Sequence, residues 1–392
     1  MPRNRNLALI DGPVLSEMLL QTCAKNHIPV YFNRFRDRAS TNLPDVRQVG
    51  KKEAKGLAKN AKKIYTAAES MLPIAALNDN EERKHHVSVF KDKALMRRTL
   101  SILPEYRNFL FREMSSEELK DYVPEAEKVV LKPSVGFFAA GVRVATKANF
   151  PKVAEEAMKD VADHAGAFPS TILQGNRWLV EEFINGDEYA ADAFFDRRGR
   201  PRVNAIYHHP FRDENDTRQL LYYSNAEIMS QQSEKVTSLL KRLAAAAPGK
   251  LRNFPVHAEY RVRDGVIHPM EINAWRFGGF GLSDLPGLWG VNQYAAYFDV
   301  PGAGKAKMKK DMTYALILCR NPESIYPYPN DYKVDHESFK NALQGKDIKI
   351  RSYKKLNHVV LPVSSVVLCE TRDKDALHGM LSYDTSPHYI RK

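Results

Sequence analysis

The feature that most constrains the fold is a pair of apolar segments joined by a short turn. The first covers residues 256–262, the second covers residues 266–272, and Asp264 and Gly265 lie between them. An Asp-Gly step between two strand-like segments is a strong signal for a β-hairpin. We therefore predict two antiparallel strands here, on which polar residues can be assigned to faces by counting in twos.

The length of the turn decides which polar side chains share a face. A two-residue loop would place Glu259 and Glu271 on opposite faces. A three-residue loop, with Gly265 in the left-handed conformation, would place them on one face as diagonal neighbours about 7–8 Å apart. We predict the three-residue loop, whose shared face would carry four polar residues: His257, Glu259, Glu271 and Asn273.

Two carboxylates and an amide oxygen on one face suit a hard cation such as Mg²⁺, which prefers oxygen ligands and often binds a substrate phosphate as well. The alternative is a polar sheet face that points into solvent and has no ligand. The hairpin taken alone leaves both interpretations open.

A second pattern lies at residues 129–144, where a strand-like segment ends in Lys132-Pro133-Ser134 and a loop of small residues leads to another strand. A lysine and backbone N–H groups in this arrangement can bind phosphate oxygens. The loop over residues 134–141, with Phe137 and Phe138, is the candidate lid. An ordinary hairpin is the alternative.

A third pattern follows at residues 178–189, where an apolar strand runs into Glu181 and Glu182 and then reaches Ile184, Gly186 and Glu188. A carboxylate after such a strand can bind ribose hydroxyls, and the strand backbone can bind an adenine edge. A surface strand and turn is the alternative.

These patterns occur in an order that resembles the ATP-grasp superfamily, and the Asp92-Lys93 helix start upstream is similar to that family as well. The resemblance covers roughly residues 90–279. It implies an α/β (α+β) ATP-grasp fold preceded by a Rossmann-like domain. We expect an N-terminal domain at 1–90, a small lid subdomain at 91–190 and a large C-terminal subdomain at 191–392.

The resemblance also implies roles for individual residues. Those that would bind ATP are Lys93, Lys132, Ser134, Glu181, Glu182, Ile184 and Glu188. Within this set the two lysines would contact phosphates, Glu181 would lie near the adenine amino group, and Glu188 would hold the ribose. Two Mg²⁺ ions, with Mn²⁺ as a possible substitute, would be held by Glu259, Glu271 and Asn273.

The groups implied to act at the reacting atoms are Lys132, His257 and Arg276. His257 would face the site of phosphoryl transfer, and Arg276 would steady the acyl phosphate or the substrate carboxylate. The arginine stands one position later than in the familiar pattern, after the bulky Trp275. For the substrates we select His209, Arg212, Arg218 and Arg276, with Asp284 and Trp289 as further candidates.

The implied reaction joins a carboxylate to an amine through an acyl phosphate, releasing ADP and phosphate. Open alternatives are a thiol nucleophile, an enzyme that stops at the acyl phosphate, and a regulatory or RNA-associated protein that binds ATP without turnover. We expect small-molecule carboxylate and amine substrates and a possible homodimer.

Composition limits the other classes of protein. Three scattered cysteines form neither a disulfide framework nor a metal cluster, which fits a cytoplasmic protein with buried thiols. No apolar run approaches the roughly 20 residues that cross a bilayer. The net charge of +12 is spread over the chain, so we do not expect a nucleic-acid partner.

The remaining chain reads as alternating helices and strands. The opening residues predict strand, helix and strand at 7–10, 13–25 and 29–32, followed by a basic helix at 51–63. Helices are also predicted at 81–103, 150–165, 234–246 and 285–298. Strands at 314–318 and 359–369 indicate that the tail completes the C-terminal subdomain.

Overall fold

The structure is a computed structural model. It describes residues 5–12, 14–33, 45–78, 80–134, 141–164, 176–213, 216, 218–247, 249–325 and 328–392. The interior of the predicted lid loop, with Phe137 and Phe138, lies outside these residues. Part of the predicted substrate segment, at 214, 215 and 217, also lies outside them.

The N-terminal part is a small parallel sheet with helices beside it, as the opening of the sequence predicts. The strands are β1 (Asn6–Ile10), β2 (Val30–Phe32) and β3 (Lys63–Thr66), in the order β2-β1-β3. The helices are α1 (Glu17–Lys25), α2 (Lys51–Asn60) and α3 (Leu72–Ala75). β1 is central and almost fully buried. Because both of its neighbours pair with it in parallel, the carboxyl ends of all three strands lie at the same edge of the sheet.

The single helix predicted at residues 81–103 is wrong, because the chain forms two helices, α4 (Glu81–Lys91) and α5 (Lys93–Leu100). Asp92 separates them with an extended backbone, and its carboxylate accepts a hydrogen bond from the N–H of Leu95. A side chain that caps a helix in this way favours a new helix start. The break places Lys93 in the first turn of α5.

The next part is a four-stranded antiparallel sheet in the order β4-β7-β5-β6. Its elements are β4 (Phe111–Ser115), α6 (Ser116–Lys120), β5 (Lys128–Pro133), β6 (Arg143–Thr146), α7 (Phe150–His164) and β7 (Arg177–Glu182). Strand alternation sends Leu131, Trp178 and Val180 into a core with α7. Lys132 and Glu181 therefore lie on the opposite face of this sheet.

The third part is an eight-stranded antiparallel sheet in the order β12-β11-β8-β9-β10-β13-β16-β15. Its first elements are β8 (Glu188–Phe195), β9 (Pro201–His208), β10 (Leu221–Ser224), α8 (Ala226–Ala246), β11 (Phe254–Arg263), β12 (Val266–Ala274) and α9 (Gln293–Phe298). The later elements are β13 (Thr313–Arg320), β14 (Tyr332–Val334), α10 (His336–Gln344), β15 (Lys349–Lys355), β16 (Val363–Thr371), α11 (Lys374–His378) and β17 (Tyr389–Arg391). Of these, β14 and β17 pair only with each other, in a separate two-stranded sheet.

The tail joins this sheet through β13, β15 and β16, which confirms that it completes the C-terminal part of the fold. The helix predicted at residues 285–298 is wrong. A 3₁₀ turn over Leu282–Trp289 contains Pro286, and Gly290, with φ of 87°, ends it before α9 begins. The domain boundaries at residues 90 and 190 stay predictions.

Candidate active site

The hairpin of β11 and β12 has the expected shared face but not the expected register. Arg263 pairs with Val266, so the loop has two residues, Asp264 and Gly265, and both have positive φ. The three-residue loop is therefore wrong. A β-bulge at Met270 adds one residue to β12 and restores the parity. Glu259 consequently lies directly opposite Glu271, not diagonal to it.

Two pairs further along the hairpin, His257 lies opposite Asn273, so the four predicted polar residues do share one face. The ring of His257 approaches Glu259, with Nε2 3.4 Å from a carboxylate oxygen. Its Nδ1 lies 2.7 Å from Asp192. Burial alone would lower the pKa of His257, but the hydrogen bonds to Asp192 and Glu259 raise it to about 9.

Asp192 is a site residue that the sequence analysis missed. It is fully buried on β8 and accepts hydrogen bonds from four groups: the His257 ring, the Tyr207 hydroxyl, the Gly278 N–H and the Gln293 amide. Such a network fixes the imidazole in one orientation. The sequence signal was an acidic residue in the middle of β8, where all the neighbours from Tyr189 to Phe195 are apolar or aromatic.

The buried polar face of the small sheet brings together Lys132, Glu181 and Arg97. The carboxylate oxygens of Glu181 lie 2.5 Å from the ammonium of Lys132 and 2.7 Å from Nε of Arg97. Burial would raise the pKa of Glu181, but the two cations lower it to about 2. Arg97 was not predicted, although it lies four residues after Lys93 and thus on the same side of α5.

Lys93 connects α5 to both sheets. Its backbone N–H donates to the carbonyl of Ser134 at the end of β5, and its ammonium lies 3.3 Å from Glu271 on the hairpin. Burial alone would lower the pKa of Lys93, but Glu271 and Glu69 raise it. Ser134 itself is fully buried, and its hydroxyl has no hydrogen-bond partner among the described residues. The predicted phosphate-binding groups therefore lie close together.

Glu188, at the start of β8, is held by two basic side chains. Arg261 donates to one carboxylate oxygen at 3.0 Å, and Nδ1 of His209 lies 3.1 Å from the other. Arg261 also donates to the carbonyl of Ile184, and Arg263 pairs with Glu182. Neither arginine was predicted, although Arg261 lies two residues after Glu259 and therefore on the same face of β11 as His257 and Glu259.

Arg276 follows the end of β12. Its only hydrogen bond within the described part of the chain is to the neighbouring carbonyl of Phe277. Trp275, the added bulky residue, is fully buried against Phe254 and has a left-handed backbone with φ of 62°. This conformation turns the chain just before the arginine, and Arg276 is a charged neighbour of Glu259 and Glu69.

Arg212 and Arg218 do not join these groups. Arg212 pairs with Asp213 and Arg218 pairs with Asp216, and both line a separate cavity of about 440 Å³ against the tail. Asp284 accepts hydrogen bonds from Ser16 and from the N–H of Glu17 at the start of α1. Trp289 is buried in the core. Their geometry fits structural roles.

The hairpin donors fit Mg²⁺ by their chemistry. Glu259 and Glu271 face each other and keep 21% and 29% of their side chains exposed, and Asn273 adds an amide oxygen. Across the described ranges, no three His, Cys, Asp or Glu side chains cluster as a complete metal site. Mg²⁺ commonly takes only one or two protein carboxylates and completes its shell with phosphate and water.

Among the described residues, no helix is both long enough and apolar enough to cross a membrane. All three cysteines are buried and unpaired, as predicted.

Comparisons with known proteins agree with this geometry. A search of curated protein sequences found no significant match. A crystal structure of L-amino acid ligase from Bacillus licheniformis is similar, with a TM-score of 0.70 and 15% identity over 100% of this chain and 99% of that chain. A crystal structure of phosphoribosylglycinamide synthetase from Anaerococcus prevotii is similar as well, with a TM-score of 0.58 and 15% identity over 99% of this chain and 99% of that chain.

Biotin carboxylase from Campylobacter jejuni has a TM-score of 0.61 and 14% identity over 98% of this chain and 92% of that chain. At such identities the similarity establishes a common fold. In addition, residues 125–284 match the sequence profile of the ATP-grasp domain. This chain therefore contains an ATP-grasp domain and has the ATP-grasp fold, as its sequence motifs predicted.

Proposed function

We propose that this protein is an ATP-dependent ligase that joins a carboxylate to an amine through an acyl phosphate, releasing ADP and phosphate. The observation that carries the proposal is the convergence of two buried lysines, Lys93 and Lys132, on a hairpin with opposed carboxylates. Lysines and a divalent cation are the groups that neutralise a transferring phosphoryl group.

Lys93 and Lys132 would bind the ATP phosphates, with the hydroxyl of Ser134 as a further donor. The ammonium of Lys132 also lies 3.5 Å from the carbonyl of Met270 at the bulge, so it reaches from the small sheet to the hairpin. Glu181 keeps this lysine in place. These groups would be positioned before substrate arrives, which is how such sites stabilise transferring charge.

The base and ribose of ATP would lie along β7 and the start of β8. Glu188 would hold the ribose, fixed by Arg261 and His209. The backbones of Glu182 and Ile184 would contact adenine. The N–H of Glu182 already donates a hydrogen bond to the carbonyl of Leu110. Glu181 uses two of its roughly four lone-pair sites on cations, so it can still accept from an adenine amino group.

Two Mg²⁺ ions would be held by Glu259, Glu271 and Asn273, with Mn²⁺ as a substitute. A bound ion there supplies positive charge that neutralises phosphate oxygens. His257, oriented by Asp192, would donate a hydrogen bond at the same face. Arg276, which has no carboxylate partner in the described part of the chain, would bind the acyl phosphate or the substrate carboxylate.

An amino-acid substrate is supported by the full-length similarity to L-amino acid ligase. His209 would act at the nucleotide side of the site, because its Nδ1 contacts Glu188 and its buried Nε2 has no partner in the part of the chain that the structure describes. Arg212 and Arg218 line a separate cavity, so nothing in the geometry supports their predicted contact with the substrates. The cytoplasmic location and the homodimer stay predictions.

The test is release of ADP and phosphate with Mg·ATP across pairs of amino acids and simple carboxylates and amines, with mass spectrometry of each active mixture. We expect a condensed product that is lost in Glu271→Gln. The matched control is Glu234→Gln, an exposed carboxylate on α8. ATP binding without turnover would favour a regulatory protein, and failure to bind ATP would disprove the proposal.

Hydroxylamine in the same mixtures traps the acyl phosphate, so a hydroxamate shows that a carboxylate is activated. An acyl phosphate that accumulates with ADP, and is not consumed by any amine, would indicate an enzyme that stops at the acyl phosphate. A product found only with thiols would indicate a thiol ligase.

A further inference from the structure

Glu69 is a carboxylate beside the proposed phosphoryl-transfer site, and among the described residues one of its oxygens has no hydrogen-bond partner. It lies in the 3₁₀ turn Glu69–Met71, just after β3. Its oxygen Oε2 is buried and has no hydrogen-bond donor, and its carboxylate forms no ion pair with any described residue. A buried carboxylate oxygen without a donor is rare and costly, so it points to a donor supplied by a ligand.

The turn that carries Glu69 is held at the carboxyl edge of the N-terminal sheet. The hydroxyl of Ser70 donates to Asp11 at 2.6 Å, and the amide of Asn33 donates to the same oxygen at 3.0 Å. The N–H of Ala67 donates to the carbonyl of Leu9. Glu69 is therefore fixed by residues that follow all three parallel strands. Ligands commonly bind at such an edge.

The charged groups near enough to act on the carboxylate of Glu69 come from the other two parts of the fold. They are Arg276 and Glu271 at the end of the hairpin, and Lys91 and Lys93 from α4 and α5. Lys93 already pairs with Glu271. Glu69 thus borders the same space as the metal-binding face and Arg276, on the side of the N-terminal sheet.

We propose that Glu69 binds the nitrogen of the amine substrate by accepting its hydrogen bonds. This inference rests on the proposed function. Phosphates and an acyl group would occupy the cationic side of the space, on Lys93 and Arg276. An amine is carried as a cation near neutral pH and needs an acceptor, and Glu69 is the carboxylate there with a buried oxygen that no described residue satisfies.

The test compares Glu69→Gln with Glu81→Gln, a carboxylate on α4 whose side chain is 81% exposed. With an active pair of substrates, KM is measured for ATP, the acid and the amine. We expect the KM for the amine to rise roughly ten- to a hundredfold in Glu69→Gln, as for loss of a hydrogen bond to a charged group. The KM for ATP and for the acid should change by less than about twofold.

A rise in KM for the acid alone, equal rises for all three substrates, or no change would overturn the assignment. If no pair gives turnover, calorimetry of the Mg·ADP-loaded protein tests the inference separately. The probes are glycinamide, an amine without a carboxylate, and N-acetylglycine, a carboxylate without an amine. Binding of glycinamide to the wild type and its selective loss in Glu69→Gln support the inference, and no binding to the wild type refutes it.

Discussion

Replacing Arg97 with methionine tests whether the buried charges at Glu181 stabilise the small sheet. The side chains of Arg97, Lys132 and Glu181 are 3%, 5% and 0% exposed. Lowering the pKa of Glu181 from 4.5 to about 2 corresponds to about 3 kcal/mol. Arg97 is the stronger of the two cations, so its loss should cost about 2 kcal/mol while Lys132 still pairs with the carboxylate.

The assay is urea unfolding followed by tryptophan fluorescence at pH 7.5, with Arg98→Met as the matched control. Arg98 is the next residue on α5, but it is 47% exposed and pairs with Glu113, so its loss should cost less than about 1 kcal/mol. Equal unfolding midpoints for the two variants would refute the reasoning.

The pH dependence gives an independent check of the same cause. Glu181 has a depressed pKa in the folded protein, so its contribution is present above about pH 4.5 and is lost as the pH falls toward about 2. The difference in stability between the wild type and Arg97→Met should therefore be constant above pH 5 and narrow below it. A difference that widens on acidification would contradict a role for the ionised carboxylate.

Three further changes can be predicted from the geometry. A Cβ on Gly278 would lie 3.1 Å from the ring of His257, whereas a Cβ on Gly279 would have no neighbouring atom closer than 3.9 Å. Steady-state kinetics should therefore show a lower kcat for Gly278→Ala than for Gly279→Ala. Gly186→Ala should destabilise the protein in thermal unfolding, because φ is 122° and the new Cβ would overlap a backbone carbonyl of β11. Burial raises the pKa of Asp284 from 3.8 to about 6, so the stability of the wild type falls as the pH rises from about 4 to about 6. Thermal unfolding should therefore show Asp284→Asn gaining stability relative to the wild type across that window, with a constant difference at higher pH.

Local patterns predicted the elements of the site better than their exact pairing. The prediction that Glu259 and Glu271 share one face was correct. The three-residue loop from which it was derived was wrong, because the structure has a two-residue loop and a bulge. Pro269 was the available signal, because proline cannot donate to the ladder and is confined to strand edges and bulges. In the structure β12 is an edge strand and its bulge follows Pro269 directly.

Other features depended on contacts that no local pattern contains. The helix start at Asp92-Lys93 was recognised, but the helix predicted over residues 81–103 ran through it. The pairing of Arg97 with Glu181 joins residues 84 apart in the sequence. Glu69 lies in a short turn without periodicity, so nothing in the sequence distinguished it from a surface glutamate. Its place beside Arg276 results from the packing of three sheets.

The strand order of the large sheet also determines when the protein can finish folding during synthesis. The four-residue strand β10 pairs with β13, which in turn pairs with β16, and β16 ends only at Thr371. A nascent chain that has reached residue 300 already carries every proposed nucleotide contact, yet one sheet edge is still bare. Such an edge invites pairing with other chains. We therefore expect the last quarter of the chain to protect the protein from aggregation as it leaves the ribosome.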